Sequence, residues 1–234
     1  MKATAEDKIL AEKFLRTVPV FTSLSEQYFN DIVQTIRIQH FKKDETVFYQ
    51  SDTSNDLYIV LSGKVRASIF NEEGEELVLA VFEGGSFFGE MGLIDGADRS
   101  ATLIADEDSI LSVLERRRFL ELIKQDVLIA IELLIILADR IRTANRMVGS
   151  LAFLDVNERL EKLLLQLALK DGKQNKDGLY KIRKMHQSEM AAQVGASRAT
   201  VSKALKVLTF KKVLTERQGH FLIKPDLTKL TSGF

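Results

Sequence analysis

Between Ile36 and Leu114 the apolar positions come in short β-rich runs, IRIQHF, TVFYQ, LYIVLS, KVRASIF, ELVLAVF, ATLIA and SILSVL. Turn residues such as Ser51-Asp52, Ser62-Gly63 and Asn71 to Gly74 separate them. Spacing of this kind predicts an antiparallel barrel or sandwich. Ahead of it, AEKFL and EQYFNDIVQTI carry helix signals on either side of a break at Val18-Pro19-Val20. Ser25, after Ser23 and Leu24, is placed to cap the second helix.

After Arg118 the period becomes helical for about thirty residues. Reading Val127, Leu134, Ile141 and Val148 as heptad position a puts Ala130, Leu137, Ala144 and Leu151 at d. This apolar seam runs for roughly three to four heptads. It predicts a dimer interface built from Val127, Leu134, Leu137, Ile141, Ala144, Val148 and Leu151. The other reading buries the helix against its own domain, and Ile131, Leu133, Ile135 and Ile136 predict that its first half does so too. Asn157 to Leu169 then reads as an amphipathic helix and Lys170 to Gly178 as a polar loop. LYKIRK, two closely spaced helices and a hairpin follow, with no internal repeat or low-complexity segment.

Charge changes this picture more than composition does. The chain of 234 residues is neutral overall, yet residues 1–156 hold 17 Lys and Arg against 26 Asp and Glu, and the remainder 16 against 7. One half repels polyanions and the other suits them, nucleic acid first. The absence of cysteine excludes disulfides, thiolate-held zinc and thiolate-ligated iron–sulfur clusters. No run approaches the ~20 apolar residues of a membrane helix, and MKATAEDKILAEKF is charged rather than signal-like, so a cytoplasmic protein is expected. His40, His186 and His220 are scattered without metal-ligand spacing. No nucleophile motif, P-loop or carboxylate pair suggests an enzyme, and the acids of residues 72–76 and 106–108 read as solvated turns.

The basic half carries HQSEMAAQVGASRATVSKALKVL, a helix, a glycine turn and a second helix. Ala191 lets the helices cross closely, Gly195 can take the left-handed backbone of the turn, and Val201 packs between them. Ser197 can cap the second helix, with Val201, Ala204, Leu205 and Leu208 on its buried stripe. Arg198, Ala199, Ser202, Lys203 and Lys206 face outward. A hairpin turning near Gln218-Gly219 forms a wing, with Lys211, Lys212 and Arg217 placed for phosphates. Arg198 can bond a guanine bidentately, Lys203 can reach a base or a phosphate, and Lys206 suits a phosphate. The candidate DNA-contacting set is Ser197, Arg198, Ala199, Thr200, Ser202, Lys203, Lys206, Lys211, Lys212 and Arg217.

The acidic half contains EGGSFFGEMGLIDGADRSATLIA, in which a glycine-rich approach meets a one-turn helix beginning about Gly89. Backbone N–H groups at such a start attract anions. Arg99 can pair with a phosphate, Ser100 can add a hydroxyl, and Glu90 can accept from a ribose hydroxyl.

FGEMGLIDGADRSA resembles the phosphate-binding cassette of cyclic-nucleotide-binding domains. VGSLAFLDV and GASRATVSKALKVL resemble the hinge and helix-turn-helix of the CRP/FNR family of transcription regulators, so the likeness covers nearly the whole chain. The resemblance implies an α+β fold: a cyclic-nucleotide-binding β-roll (jelly roll) sensor over 1–122, a dimerisation helix over 123–150, a hinge over 151–156 and a winged helix-turn-helix over 157–234. It implies a homodimer that binds cyclic AMP, or next cyclic GMP, as effector and no metal. Such a dimer reorients its DNA-binding domains and engages palindromic double-stranded DNA near RNA polymerase. The implied ligand set is Gly89, Glu90, Met91, Arg99, Ser100 and Ala101 with Arg140, Thr143, Ala144 and Asn145 on the long helix.

Three departures stand out. Ala144 and Asn145 occupy the family's threonine and serine that contact adenine, with Thr143 one residue earlier. Ala199 replaces an acidic base-reader, and Ser51 replaces a turn glycine. Two other readings stay open: the same fold answering another small anion or none, and a nucleotide-binding module acting on a protein partner. The loop from Lys170 to Gly178 is a candidate polymerase-contacting surface.

Overall fold

The computed structural model describes residues 5–22 and 24–225. The first four residues, Ser23, and positions 226–234 of the expected winged domain lie outside the described residues. The chain divides into two compact units, Met1–Ile69 with Leu79–Arg140, and Phe70–Val78 with Ile141–Phe234.

The seven β-rich runs and one further short strand, β6, make up eight strands: β1 (Arg37–Phe41), β2 (Thr46–Phe48), β3 (Leu57–Ser62), β4 (Lys64–Phe70), β5 (Glu76–Glu83), β6 (Phe87–Phe88), β7 (Thr102–Ala105) and β8 (Ser109–Leu114). They form two four-stranded sheets, ordered β1-β8-β3-β6 and β2-β7-β4-β5. Between the sheets lie Phe48, Tyr58, Val60, Val65, Phe88, Leu103, Leu111 and Val113. On β3 the alternate residues Leu57, Ile59 and Leu61 point the other way, into a second cluster shared with helices. A strand covered on both faces has no polar alternation, which is why LYIVLS reads as one apolar run. The two-residue β6 was not expected from the sequence.

The helices on that outer face are α1 (Ala5–Leu15), α2 (Glu26–Thr35), α3 (Glu90–Asp95), α4 (Arg116–Gln125) and α5 (Val127–Phe153), with a 3₁₀ turn at Pro19–Phe21. Ser25 does hold the N-cap position of α2 with extended backbone, but its side chain makes no capping bond. The single helical stretch expected after Arg118 is two helices. They part at Asp126, which leaves helical geometry and accepts a 2.9 Å hydrogen bond from the Leu128 amide. Residues 151–153, expected in the hinge, still belong to α5.

Ile129 and Leu133 are buried in the helical cluster, with Ile136 and Leu137 packed against it. Ile131 and Ile135, expected to help bury the first half of the helix, face outward instead with Val127, Leu134, Ile141, Val148 and Leu151.

The second unit contains α6 (Val156–Asp171), β9 (Lys173–Gln174), β10 (Tyr180–Arg183), α7 (Gln187–Val194), α8 (Arg198–Phe210), β11 (Leu214–Arg217) and β12 (His220–Ile223). Its sheet runs β11-β12-β10-β9, so the expected polar loop carries a short edge strand. Leu160, Leu164, Met190, Val201, Leu208 and Phe221 form its core. Asp155 and Glu158 make a reciprocal capping box at the start of α6. Among the described residues no helix is long and apolar enough to cross a membrane.

Candidate functional site

The cassette begins where β6 ends. Gly89 takes φ 86°, ψ 6° and caps α3, and Gly96 closes it at φ 76°. A Cβ on Gly89 would lie 2.6 Å from Arg99 Nη1 and 2.8 Å from the Asp56 carbonyl. The missing side chain therefore admits Arg99 itself, as well as sparing the left-handed backbone its strain.

Arg99 is 3% exposed. Its Nε donates to Ser54 Oγ at 3.0 Å, Nη1 to the Gly89 carbonyl at 2.9 Å and Nη2 to the Asp56 carbonyl at 2.8 Å. The guanidinium lies 4.2 Å from the centre of the Phe48 ring. These acceptors are neutral, and among the described residues Arg99 makes no ion pair. Burial pulls its pKa below the ordinary arginine value, opposed by Tyr58, Asp56, Glu90 and Asp52. Three of five N–H bonds are used, which leaves one on each terminal nitrogen for an acceptor. Its backbone is held by the Ser51 loop: Ser51 N–H donates to the Arg99 carbonyl at 2.8 Å, and Arg99 N–H to the Asp52 carbonyl at 2.9 Å. Ser51 adopts φ 69° to do so, in the left-handed region that favours glycine.

Glu90 is buried and ion-paired with Arg140 of α5. Arg140 Nη2 also donates to the Phe87 carbonyl at 2.5 Å, and the guanidinium lies 5.2 Å from the Phe82 and Phe87 ring centres. Met91 and Ser100 are exposed side by side, the hydroxyl 3.5 Å from the Met91 sulfur. Ala101 is buried between the sheets. Glu90, Met91, Arg99, Ser100 and Arg140 are thus gathered around α3. Thr143, Ala144 and Asn145 are exposed further along α5, where Thr143 Oγ1 accepts from Arg146 at 2.9 Å.

In the second unit the turn between α7 and α8 has the expected chemistry. Gly195 sits at φ 64°, ψ 55°, and Ser197 Oγ accepts from the Thr200 amide at 3.3 Å and shares a 2.9 Å hydrogen bond with its hydroxyl. Val201, Ala204 and Leu208 are buried, while Arg198, Ala199, Lys203 and Lys206 are exposed and Ser202 half-buried. The wing turns through Gln218 and Gly219 at φ 48° and 71°, the paired left-handed residues of a tight hairpin. Lys211, Lys212 and Arg217 are exposed beside it. The face is therefore a helix bearing three cations, flanked by three more.

No sequence signal points to Arg159. Its side chain donates to the carbonyls of Leu154 at 2.7 Å, Val194 at 2.8 Å and Gly195 at 3.3 Å, holding the turn against the start of α6. Among the described residues no cluster of three or more His, Cys, Asp or Glu can hold a metal ion.

The family model "Cyclic nucleotide-binding domain" matches residues 38–126, and the model "Crp-like helix-turn-helix domain" matches 158–232. The chain is 34% identical over 196 residues to the cyclic AMP receptor protein of Thermus thermophilus, covering 84% of this chain and 88% of that one. It is 32% identical over 180 residues to the cAMP-activated global transcriptional regulator CRP of Escherichia coli O157:H7, covering 76% and 85%. Among solved structures, the c-di-GMP responsive global regulator CLP of Xanthomonas campestris is similar with a TM-score of 0.74 and 26% identity, over 86% of this chain and all of that one.

Proposed function

Since this chain belongs to the CRP/FNR family of transcription regulators, with a cyclic nucleotide-binding domain and a Crp-like helix-turn-helix, we propose that it is a homodimer whose promoter binding is controlled by a cyclic nucleotide. It is a regulator and not an enzyme. Cyclic AMP is the leading effector and cyclic GMP the next. Palindromic DNA is the target, and RNA polymerase is the neighbour through which transcription responds.

The observation that carries this reading is Arg99: a cation 3% exposed, held by neutral acceptors, with two N–H bonds in reserve. A buried cation whose direct hydrogen bonds all go to neutral acceptors is costly. The negative charge of a cyclic phosphate relieves that cost, and the exposed Ser100 hydroxyl is next to it in sequence. Glu90 has acceptor capacity beyond its pairing with Arg140 to take a ribose hydroxyl. Arg140 lies on α5, whose outward residues Val127, Leu134, Ile141, Val148 and Leu151, with the exposed Ala144 and half-buried Leu137, form the dimer seam. Ligand bound to Glu90 thereby acts on the seam through Arg140, and residues 151–156 pass the change to the DNA-binding unit. On DNA, Arg198 and Lys203 read bases, with Ala199, Thr200 and Ser202 close to them. Ser197 caps the reading helix, and Lys206, Lys211, Lys212 and Arg217 take phosphates. Such coupling is typically worth ~1–3 kcal/mol and acts reciprocally on ligand and DNA affinity.

A second reading keeps the fold and changes the anion. It is favoured by Ala144 and Asn145, which lack the family's adenine-contacting pair, and by the likeness to a regulator named for c-di-GMP. Calorimetric titration with cyclic AMP and cyclic GMP, beside an Arg99→Ala variant, separates the two. Saturable binding that the variant loses supports the first reading and names its base. No heat with either nucleotide makes the second reading the leading one.

A further inference from the structure

The first turn of α4 carries Arg116, Arg117 and Arg118 and no acid. Three cations at a helix N-terminus oppose its dipole, and Glu115 at the N-cap makes no side-chain capping bond. Arg116 escapes that conflict by reaching back to α3. Its Nε donates to the Leu93 carbonyl at 2.6 Å and Nη2 to the Ile94 carbonyl at 3.5 Å. These are C-terminal carbonyls of a helix under two turns long, which have no partner within it. The same guanidinium that is unfavourable at the start of α4 is favourable at the end of α3.

Both ends of α3 are therefore held by arginines. Arg99 bonds the Gly89 carbonyl and Arg140 pairs with Glu90 at the ligand-facing end, and Arg116 holds the far end. Leu93, fully buried, packs in the same cluster as Phe119 and Leu122 of α4 and Ile129 and Leu133 of α5. A tilt of α3 that follows its first turn cannot leave α4 behind unless Arg116 lets go.

Resting on the nucleotide reading of the cassette, we propose that Arg116 is a positioning residue: it ties α3 to α4, so that ligand-dependent settling of the cassette reaches α5 and the DNA-binding unit. It touches neither ligand nor DNA.

The test compares full-length wild type, Arg116→Met and Arg116→Lys. Affinity for the nucleotide that wild type binds is measured with and without a duplex selected for tight binding. The ratio of the two affinities is the coupling factor, commonly about 5–150 for allosteric proteins. In Arg116→Met the factor falls to within about twofold of 1, nucleotide affinity alone changes by less than about tenfold, and Arg116→Lys, with a single donor head, keeps an intermediate factor. Unchanged coupling in a folded Arg116→Met dimer overturns the proposal. So does complete loss of nucleotide binding, which would make Arg116 part of the ligand site.

Hydrogen exchange without nucleotide gives an independent reading. The Gly96 amide, bonded to the Gly92 carbonyl at 2.9 Å, exchanges at least several-fold faster in Arg116→Met, and equal exchange overturns the tie. Wild type that binds neither nucleotide would overturn the cassette reading and the coupling claim with it. The exchange result then shows whether Arg116 itself also failed.

Discussion

Glu90 and Arg140 are ion-paired at the N-terminal end of α3, with the Glu90 side chain 4% exposed and that of Arg140 31% exposed. The pair joins the cassette to α5, the helix that runs out of the first unit. Glu90→Gln keeps the shape and removes the charge. Arg140 retains the Phe87 carbonyl and some water, so the cost is expected below that of breaking a fully buried pair, about 2 kcal/mol. A urea titration reads it, and an unchanged midpoint would show that the pair contributes nothing to folding.

Gly89→Ala should abolish effector binding more completely than any change at the exposed Ser100. The backbone is left-handed there, and the new methyl meets Arg99 Nη1 at 2.6 Å and the Asp56 carbonyl at 2.8 Å. Arg99 must move or β3 must shift. The left-handed conformation alone costs alanine about 1–2 kcal/mol, and displacement of Arg99 adds more. Nucleotide affinity, read by calorimetric titration, is expected to fall by more than about tenfold, and an affinity within about twofold of wild type would show that Gly89 is not needed to seat Arg99.

Ser51 is strained by its left-handed conformation at φ 69°, so Ser51→Gly is expected to stabilise the protein. Relief of about 1–2 kcal/mol is offset by glycine's extra freedom in the unfolded chain, about 0.5–1 kcal/mol. The net gain of a few tenths to about 1 kcal/mol raises the Tm. A lower Tm would mean that the serine hydroxyl stabilises the loop that holds Arg99.

What was legible in the sequence follows the range of the forces involved. The helix-turn-helix is local chemistry: Gly195, Ser197 and the stripe of Val201, Ala204 and Leu208 lie within a few turns, and each does what its residue type suggests. The longer strands are legible as β-rich runs between turn residues, whereas β6 and β9, two residues each, are too short to stand out. The break at Asp126 falls at the end of a polar run, Lys124-Gln125-Asp126, that a continuous helix can also carry on its solvent face, so the helical period on either side hides it. Arg116 and Arg159 were invisible because their partners are backbone carbonyls, among them ones 23 and 35 residues away, and a carbonyl has no sequence signature. Arg99 is legible as a basic residue close to the start of α3, but its bonds to Ser54 and to the carbonyls of Gly89 and Asp56 emerge only in the fold.

Asp155 gives the second unit a pH-dependent cap. Its carboxylate accepts from the Glu158 amide at 2.9 Å, and that bond, ahead of contributions from Asn157 and Lys211, holds its pKa below the ordinary aspartate value. A depressed folded-state pKa means the stabilisation is present above the unfolded-state value and is lost as pH falls through the folded one. Asp155→Asn keeps the cap acceptor without the charge. Compared by thermal melting from neutral to strongly acidic pH, the variant should lose less stability than wild type at the acid end. Parallel curves would remove Asp155 from the acid response.

Arg159 and Lys206 are both cations of the DNA-binding unit, and salt dependence separates their roles. Lys206 is exposed on α8; if it neutralises one phosphate per protomer, Lys206→Ala lowers the slope of log affinity against log salt by about 1 for each phosphate left without its cation. Arg159 commits its donors to the Leu154, Val194 and Gly195 carbonyls. Arg159→Met leaves those acceptors to find water and loosens the turn that aims α8. A charged group bonded to part-buried carbonyls is worth about 1.5–3 kcal/mol, so the unit's melting temperature should fall. DNA affinity should drop with it, while the salt slope stays that of wild type. A slope reduced by Arg159→Met would place Arg159 on the phosphate backbone, and a slope untouched by Lys206→Ala would take Lys206 off it.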